Sequence, residues 1–255
     1  MSDHLVRVST HAPLERAEEV RALALELAPG GFEEAETADA LILSLYVQDD
    51  EVERVRRAFP GAVVTEVQPG WEDSWRAFHR PARVGGLWIG PPWEQPGPGE
   101  LAVVIDPGRA FGTGAHPTTR LCVELLALVE RGSLLDVGCG SGVLSIAAAR
   151  LGFAPIQAVD NDPVAVETTI ANAAVNGVDV AAILLDGESD ELPRAEVAVA
   201  NVLLAPVERI LARLDAHVAI ASGYLTTDVP SAPGWRHVDR RELDGWAADR
   251  FARPG

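Results

Sequence analysis

The sequence contains few of the residues on which disulfide frameworks, metal sites and membrane spans depend. Among its 255 residues there are only two cysteines, Cys122 and Cys139, and their spacing matches no common metal motif. That excludes a disulfide-stapled fold and gives no reason to expect a bound metal. No apolar run reaches the roughly 20 residues that a transmembrane helix needs, and the N-terminal segment lacks the basic-then-apolar order of a signal peptide. We therefore expect a cytoplasmic protein with no membrane association.

Lysine is also absent, so all 21 residues counted as Lys or Arg are arginines. They stand against 38 acidic residues and leave a net charge of −17. A charge of this sign repels nucleic-acid phosphates, so we expect no direct nucleic-acid binding. It would attract a basic protein partner, although high solubility alone also explains it.

The first third of the chain has the pattern of a small α+β domain followed by a connector. Strand-like and helix-like segments alternate over residues 1–68 in the order β-α-β-β-α-β, which is the order of a ferredoxin-like unit. The second helix of this unit, over residues 49–59, is predicted to begin at an Asp cap. Residues 69–100 contain four of the six tryptophans and many Pro and Gly residues. We interpret this segment as a linker with one short helix at Trp71–Phe78.

From residue 101 to residue 255 short apolar strands alternate with helical patterns. The strands are predicted over residues 134–137, 156–160, 181–186, 197–201 and 218–222, and each is nearly continuous in small or β-branched residues. Such runs are typical of buried parallel strands, and the alternation with helices predicts a doubly wound α/β fold. The C-terminal segment predicts a strand pair with a turn at Asp244-Gly245.

A glycine-rich segment, Asp136–Gly142 (DVGCGSG), follows one of these strands and opens a helix. Gly138 and Gly140 let the backbone pass close to a ligand at this turn. Twenty residues after Gly140, Asp160 ends the next strand, where a carboxylate can accept both hydroxyls of a ribose. Asp186 ends the third strand and is expected to reach an adenine edge in the same crevice.

The spacing of the glycines distinguishes between two nucleoside cofactors. Val143 stands where the dinucleotide motif requires its last glycine, and no basic residue follows to meet a pyrophosphate. The pattern therefore favours S-adenosylmethionine, which carries no phosphate, over NAD. The alternative is a glycine turn that serves helix–strand packing only.

A second glycine-containing segment lies upstream, in DPGRAFGTGAHPTTR at residues 106–120. It is not a Walker loop, because no Gly-Lys-Ser/Thr follows. We expect Phe111, Gly112 and Thr113 to contact the cofactor, with the loop around its amino-acid end. Either of the two threonines after His116 could cap the next helix, and His116 is expected to orient the loop rather than to act as a base.

An asparagine interrupts the apolar segment VAVANVLLAP at residues 197–206. A buried amide without partners costs roughly 1–3 kcal/mol, so Asn201 needs a cap to make or a ligand to hold. It ends the fourth predicted strand, at the sheet edge where folds of this kind bind ligands.

Taken together, PGRAFGTGAHPTTRLC, LLDVGCGSGVLSIAAARLG, VDNDPVAVETTIANAAVNG and VANVLLAP resemble the ribosomal protein L11 methyltransferases of the PrmA type. The resemblance extends to the tryptophan-rich segment, with WEDSWRAFHRP and LWIGPPW. It implies a Rossmann-like, seven-stranded methyltransferase domain over residues 101–255. A ferredoxin-like domain over residues 1–68 would recognise the substrate.

The resemblance also implies an activity and a set of residues. The activity is S-adenosylmethionine-dependent N-methylation of lysine ε-amines and an N-terminal α-amine of ribosomal protein L11. Matching positions give Thr119, Gly138, Asp160 and Asn201 as cofactor or active-site residues. The resemblance implies that the amide oxygen of Asn201 orients the target amine. Because Val202 and two leucines follow Asn201, where related enzymes that act on planar groups have an aromatic residue, a flexible aliphatic amine is favoured over a planar base. We expect a monomer. Two alternatives stay open: a related methyltransferase that acts on another protein or a small amine, and an NAD(P)-dependent oxidoreductase.

Overall fold

The computed structural model describes residues 5–13, 32–36, 40–66, 81–106 and 114–254, together with Arg16, Val20, Arg21, Leu23, Ala24, Leu27 and Ala28. The chain divides into two compact units, Met1–Phe78 and His79–Gly255. Each unit has its own hydrophobic core.

The first unit is an antiparallel sheet covered by helices. Its strands are β1 (Leu5–Pro13), β2 (Phe32–Glu36), β3 (Ala40–Gln48) and β4 (Val63–Glu66), and helix α1 is Val52–Ala58. The strand order is β2-β3-β1-β4, which is the order of a ferredoxin-like sheet. Residues at positions 20, 21, 23, 24 and 27 are helical, and the buried ones pack against alternate leucines of β3.

The helix that was predicted to begin at an Asp cap starts differently. Asp49–Glu51 forms a 3₁₀ turn, and the Glu51 carboxylate accepts a hydrogen bond from the Gln48 backbone N–H at 3.1 Å. The helix ends before Pro60-Gly61, as predicted, with Gly61 at φ 91°.

The second unit begins with a small sheet in the region that was expected to be a linker. Strands β5 (Ala82–Val84), β6 (Leu87–Gly90) and β7 (Leu101–Val104) pair in the order β5-β6-β7. Leu87, Ile89 and Val103 are buried in the main core of this unit. The second half of segment 69–100 therefore forms strands rather than the expected linker, because its alternating apolar side chains are buried in the core of this unit. The helix predicted at Trp71–Phe78 lies outside the described residues.

A seven-stranded sheet forms the centre of the second unit. Its strands are β8 (Leu134–Val137), β9 (Ile156–Asp160), β10 (Ala181–Leu184), β11 (Val197–Asn201), β12 (Val218–Leu225), β13 (Arg236–Leu243) and β14 (Trp246–Ala252). The order is β10-β9-β8-β11-β12-β14-β13. The first five strands in this order are parallel, and β14 runs antiparallel to both of its neighbours. Asp244 and Gly245, both at positive φ, form the predicted turn between the last two strands.

Helices cover both faces of this sheet. They are α2 (Pro117–Ala127), α3 (Val143–Leu151), α4 (Pro163–Asn176) and α5 (Leu204–Arg213). One core cluster contains apolar residues of α2 and α3, and a second cluster on other strand positions contains those of α5. The Rossmann-like α/β fold predicted from the alternating pattern is confirmed. In the described part of the chain, no helix combines the length and hydrophobicity that a membrane crossing requires.

Candidate active site at the carboxyl edge of the sheet

The glycine-rich turn between β8 and α3 depends on three left-handed glycines. Gly138, Gly140 and Gly142 have φ values of 78°, 54° and 77°, which L side chains rarely adopt. A Cβ on Gly142 would lie 2.9 Å from the Thr169 side chain, and one on Gly138 would lie 2.5 Å from Cγ1 of Val202. The turn is therefore packed closely against α4 on one side and against the residue after Asn201 on the other.

Asp136, on β8, ties this turn to the start of α3. Its carboxylate is buried and accepts hydrogen bonds from the Ser145 backbone N–H at 3.1 Å and from the Ser145 hydroxyl at 2.6 Å. Burial raises the pKa of Asp136 to about 6, and the two hydrogen bonds oppose that rise. The Asp136 side chain therefore has a structural role, because it joins the end of β8 to the first turn of α3.

Asp160 lies at the carboxyl end of β9, where the sequence predicted it. Its Oδ2 accepts from the Gly140 backbone N–H and its Oδ1 from the Asp162 backbone N–H, each at 3.0 Å. These two bonds fix the carboxylate against the glycine-rich turn. An ionised carboxylate has about four acceptor positions, so this half-buried group retains capacity for a diol.

Asp186 follows the end of β10, but its carboxylate is held by its own loop. Oδ1 accepts from the Glu188 backbone N–H and Oδ2 from the Ser189 hydroxyl, each at 2.9 Å. These hydrogen bonds lower the pKa of Asp186. The predicted contact of this side chain with an adenine edge stays a prediction.

Asn201 ends β11 and lies beside the first turn of α2. Its Nδ2 is 3.5 Å from Oγ1 of the buried Thr119. Helix α5 begins at Leu204 with Leu203 at its N-cap position, so Asn201 is not the cap that was the alternative interpretation. The structure thus brings together two predicted site residues that are 82 positions apart in the sequence.

His116 caps helix α2, a position for which the sequence suggested a threonine. Its Nδ1 accepts from the Thr118 backbone N–H at 3.4 Å and lies 2.8 Å from the Thr118 hydroxyl. The ring also makes an edge contact with Trp246, and burial lowers its pKa. These contacts place His116 at the start of α2, and its expected role in orienting the preceding loop stays a prediction. The predicted cofactor contacts Phe111, Gly112 and Thr113 lie outside the described residues.

Gly223 is a site residue that the sequence interpretation missed. It has φ 105°, and a Cβ there would lie 2.0 Å from the carbonyl oxygen of Val202. The pairing of β12 with β14 shifts register at this glycine, immediately after Ser222, the parallel partner of Asn201. A glycine inside a strand pattern often marks a bulge or a close backbone approach, and that signal was present in VAIASGYL.

This sheet order, with a glycine-rich turn after β8 and a carboxylate after β9, defines the Rossmann-like methyltransferase fold. The model of the family described as "Ribosomal protein L11 methyltransferase (PrmA)" matches residues 9–244. The chain belongs to this family.

Individual relatives agree with that membership. The chain is 38% identical over 200 residues to a ribosomal protein L11 methyltransferase of Symbiobacterium thermophilum, with 72% of this chain and 66% of the relative covered. A protein of the same name from Azotobacter vinelandii is 42% identical over 195 residues, with 72% and 63% covered. The solved structure of a ribosomal protein L11 methylase from Lactobacillus delbrueckii subsp. bulgaricus has a TM-score of 0.60 at 28% identity, with 67% of this chain and 96% of that chain covered. The matched region spans less than two thirds of the length of these two curated relatives.

Proposed function

We propose that this chain is an S-adenosylmethionine-dependent N-methyltransferase of ribosomal protein L11, acting on lysine ε-amines and an N-terminal α-amine. Its relatives carry the name of that activity. The observation that carries the proposal is the position of Asn201. Its side chain lies next to Thr119, and the following residue packs against Gly138 of the glycine-rich turn.

The donor set at the sheet edge fits a nucleoside without phosphates. Asp160 offers acceptor capacity for a ribose diol, and the segment Asp136–Gly142 contains no basic side chain for a pyrophosphate. In this proposal Gly138, Gly140, Asp160 and Thr119 hold S-adenosylmethionine, with contacts from Phe111–Thr113 and Asp186. When bound, the cofactor supplies an electrophilic methyl group on a sulfonium.

Asn201 positions the target amine. Its Nδ2 faces the Thr119 hydroxyl, which leaves Oδ1 to accept a hydrogen bond from the amine. Such a bond orients the nitrogen lone pair toward the methyl carbon. Holding the reacting atoms about 3–3.5 Å apart and in line supplies much of the rate enhancement in reactions of this kind.

The amine must also lose its proton before it can react. A lysine of pKa about 10.4 pays roughly 4–5 kcal/mol to be neutral near pH 7. An apolar surrounding lowers that cost, because it disfavours the charged form. Leu203, two residues after Asn201, is 66% exposed and offers an apolar side chain that a bound substrate would cover.

The remaining features of the proposal concern the partner. The net charge of −17 favours a basic protein substrate and disfavours free RNA. The ferredoxin-like unit would select that protein, and the reaction would take place in the cytoplasm. We expect a monomer to be sufficient, because Asn201, Thr119 and Asp160 come from one chain.

The test combines binding with product analysis. The purified chain is titrated calorimetrically with S-adenosylhomocysteine and, separately, with NAD. It is then incubated with labelled S-adenosylmethionine and purified ribosomal protein L11, and the product is mapped by mass spectrometry. We expect heat with the first ligand only, and methyl groups on amines of the ribosomal protein. Binding of NAD but not of S-adenosylhomocysteine, or the absence of methyl groups on the amines of L11, would refute the proposal.

A further inference from the structure

Helix α4 has three buried polar side chains on the face that packs toward the glycine-rich turn. Thr169, Asn172 and Asn176 are 0%, 4% and 6% exposed. Their spacings of three and four residues place them in one row along the helix. Buried polar groups of this kind are nearly always hydrogen-bonded, so their partners show what the row does.

Thr169 and Asn172 donate hydrogen bonds to backbone carbonyl groups of the glycine-rich turn. The Thr169 hydroxyl donates to the Gly140 carbonyl oxygen at 3.1 Å, and Nδ2 of Asn172 donates to the Ser141 carbonyl oxygen at 2.9 Å. Side chains of α4 therefore help to stabilise the backbone conformation of the turn.

Asn176 and the amide oxygen of Asn172 form hydrogen bonds with the backbone at and just after the end of β7. Asn176 donates through Nδ2 to the Val104 carbonyl oxygen at 2.7 Å and accepts at Oδ1 from the Val104 N–H at 2.8 Å. Oδ1 of Asn172 accepts from the Asp106 N–H at 3.4 Å. From Asp106 the chain continues into residues 107–113, which contain the predicted cofactor contacts.

Asn172 therefore forms hydrogen bonds with both segments. Its Nδ2 donates to Ser141 in the glycine-rich turn, and its Oδ1 accepts from Asp106 after β7. We propose that Asn172 is a positioning residue that couples the glycine-rich turn to the chain segment ending at Asp106, and thereby controls cofactor affinity. The part concerning affinity rests on the proposed function. The role requires a donor and an acceptor on one short side chain. Aspartate lacks the donor, and leucine of similar shape lacks both.

Two substitutions at Asn172 test its two hydrogen bonds separately. Asn172→Leu removes both hydrogen bonds. Asn172→Asp keeps the acceptor for Asp106 but replaces the donor to Ser141 by a carboxylate oxygen that faces the Ser141 carbonyl. The matched control is Thr168→Val, because the Thr168 hydroxyl bonds only the Val164 carbonyl of its own helix, at 2.7 Å. Thr169→Val is a further variant in case Asn172→Leu does not fold, since it removes the neighbouring bond to Gly140.

The first measurement is hydrogen–deuterium exchange of the free protein, which needs no cofactor. We expect Asn172→Leu to speed exchange in peptides covering both the glycine-rich turn and Asp106, and Asn172→Asp to speed it in the turn alone. Thr169→Val should act on the turn, and Thr168→Val on neither. Unchanged exchange in the turn in every folded variant of Asn172 would overturn the coupling, whatever the effect of Thr169→Val.

The second measurement is affinity. We expect Asn172→Asp to raise the Kd for S-adenosylhomocysteine and the cofactor KM by about tenfold, the effect of one lost hydrogen bond, with kcat at saturating cofactor within twofold of wild type. An unchanged Kd would refute control of affinity. A wild-type chain that binds no S-adenosylhomocysteine refutes the proposed function, and the exchange data then decide the coupling on their own.

Discussion

Replacing Gly223 by alanine should impair the placement of Asn201. A Cβ at this position would lie 2.0 Å from the carbonyl oxygen, 2.6 Å from the carbonyl carbon and 3.0 Å from the nitrogen of Val202. These are backbone atoms, so relief requires a shift of the segment that carries Asn201. To restore even a 3.0 Å separation from the oxygen, the two backbones must part by roughly 1 Å, a misplacement that can cost on the order of 100-fold in rate.

The substitution has a second effect, which needs a matched control. Alanine at φ 105° also strains the backbone, at a cost of about 1–3 kcal/mol in the free energy of unfolding. Gly152 has φ 95° and no atom within 4 Å of its added Cβ. Gly152→Ala therefore introduces similar strain without the collision, and it lies at the end of α3 rather than beside Val202.

The assay compares turnover of labelled methyl transfer by both variants at a temperature where each is folded, as checked by urea denaturation. We expect Gly223→Ala to lose about 100-fold in kcat and Gly152→Ala to stay within threefold of wild type. Equal turnover of the two variants would refute the reasoning that the close approach of Gly223 to Val202 positions the site.

Three further predictions concern the carboxylates and the amide of the site. Asn201→Ala should keep the Kd for S-adenosylhomocysteine within a few-fold and strongly reduce kcat, as measured by calorimetry and methyl transfer. Asp160→Ala should raise that Kd by about 100-fold, because hydrogen bonds to a charged group are lost. Asp136→Asn should remove a pH dependence of stability. Because its folded pKa of about 6 lies above the ordinary value of 3.8, the folded state binds the proton more tightly, so the free energy of unfolding falls as pH rises.

Each of these predictions has an outcome that contradicts it. For Asn201 it is unchanged turnover. For Asp160 it is unchanged affinity, with Asp179→Ala as a control that removes an exposed acidic side chain from a loop position. For Asp136, the wild-type free energy of unfolding should fall by about 1.4 kcal/mol between pH 5 and pH 8 relative to the variant. Parallel curves for the two proteins in urea denaturation would show that the buried carboxylate does not titrate in this range.

Local pattern was sufficient to predict the strands at whose ends the proposed cofactor site lies. The strands at 134–137, 156–160 and 197–201 have the predicted bounds, because each is an apolar run ended by Gly, Asp or Asn. The positions of Gly138, Asp160 and Asn201 at one edge follow from those bounds, since the carboxyl ends of parallel strands meet there.

Several side-chain roles did not follow from the pattern. Asp186 was predicted to reach an adenine edge, which stays a prediction, and the pattern did not indicate that its own loop binds both of its carboxylate oxygens. Segment 69–100 was predicted to be a linker because it is rich in Pro and Gly. Only the core of the second unit explains why the apolar residues of β5 and β6, within that segment, are buried.

From β8 onward the sequence by itself determined the order of strands and helices, and it also determined the glycine-rich turn and the family, because periodicity and turn chemistry act over a few residues. Tertiary structure alone decided which distant groups meet: the Asn201 amide with Thr119, the Val202 backbone with Gly223, and the Asn172 amide with both Ser141 and Asp106. These contacts join residues up to 82 positions apart, and their geometry depends on how closely packed layers fit together, which no local propensity encodes.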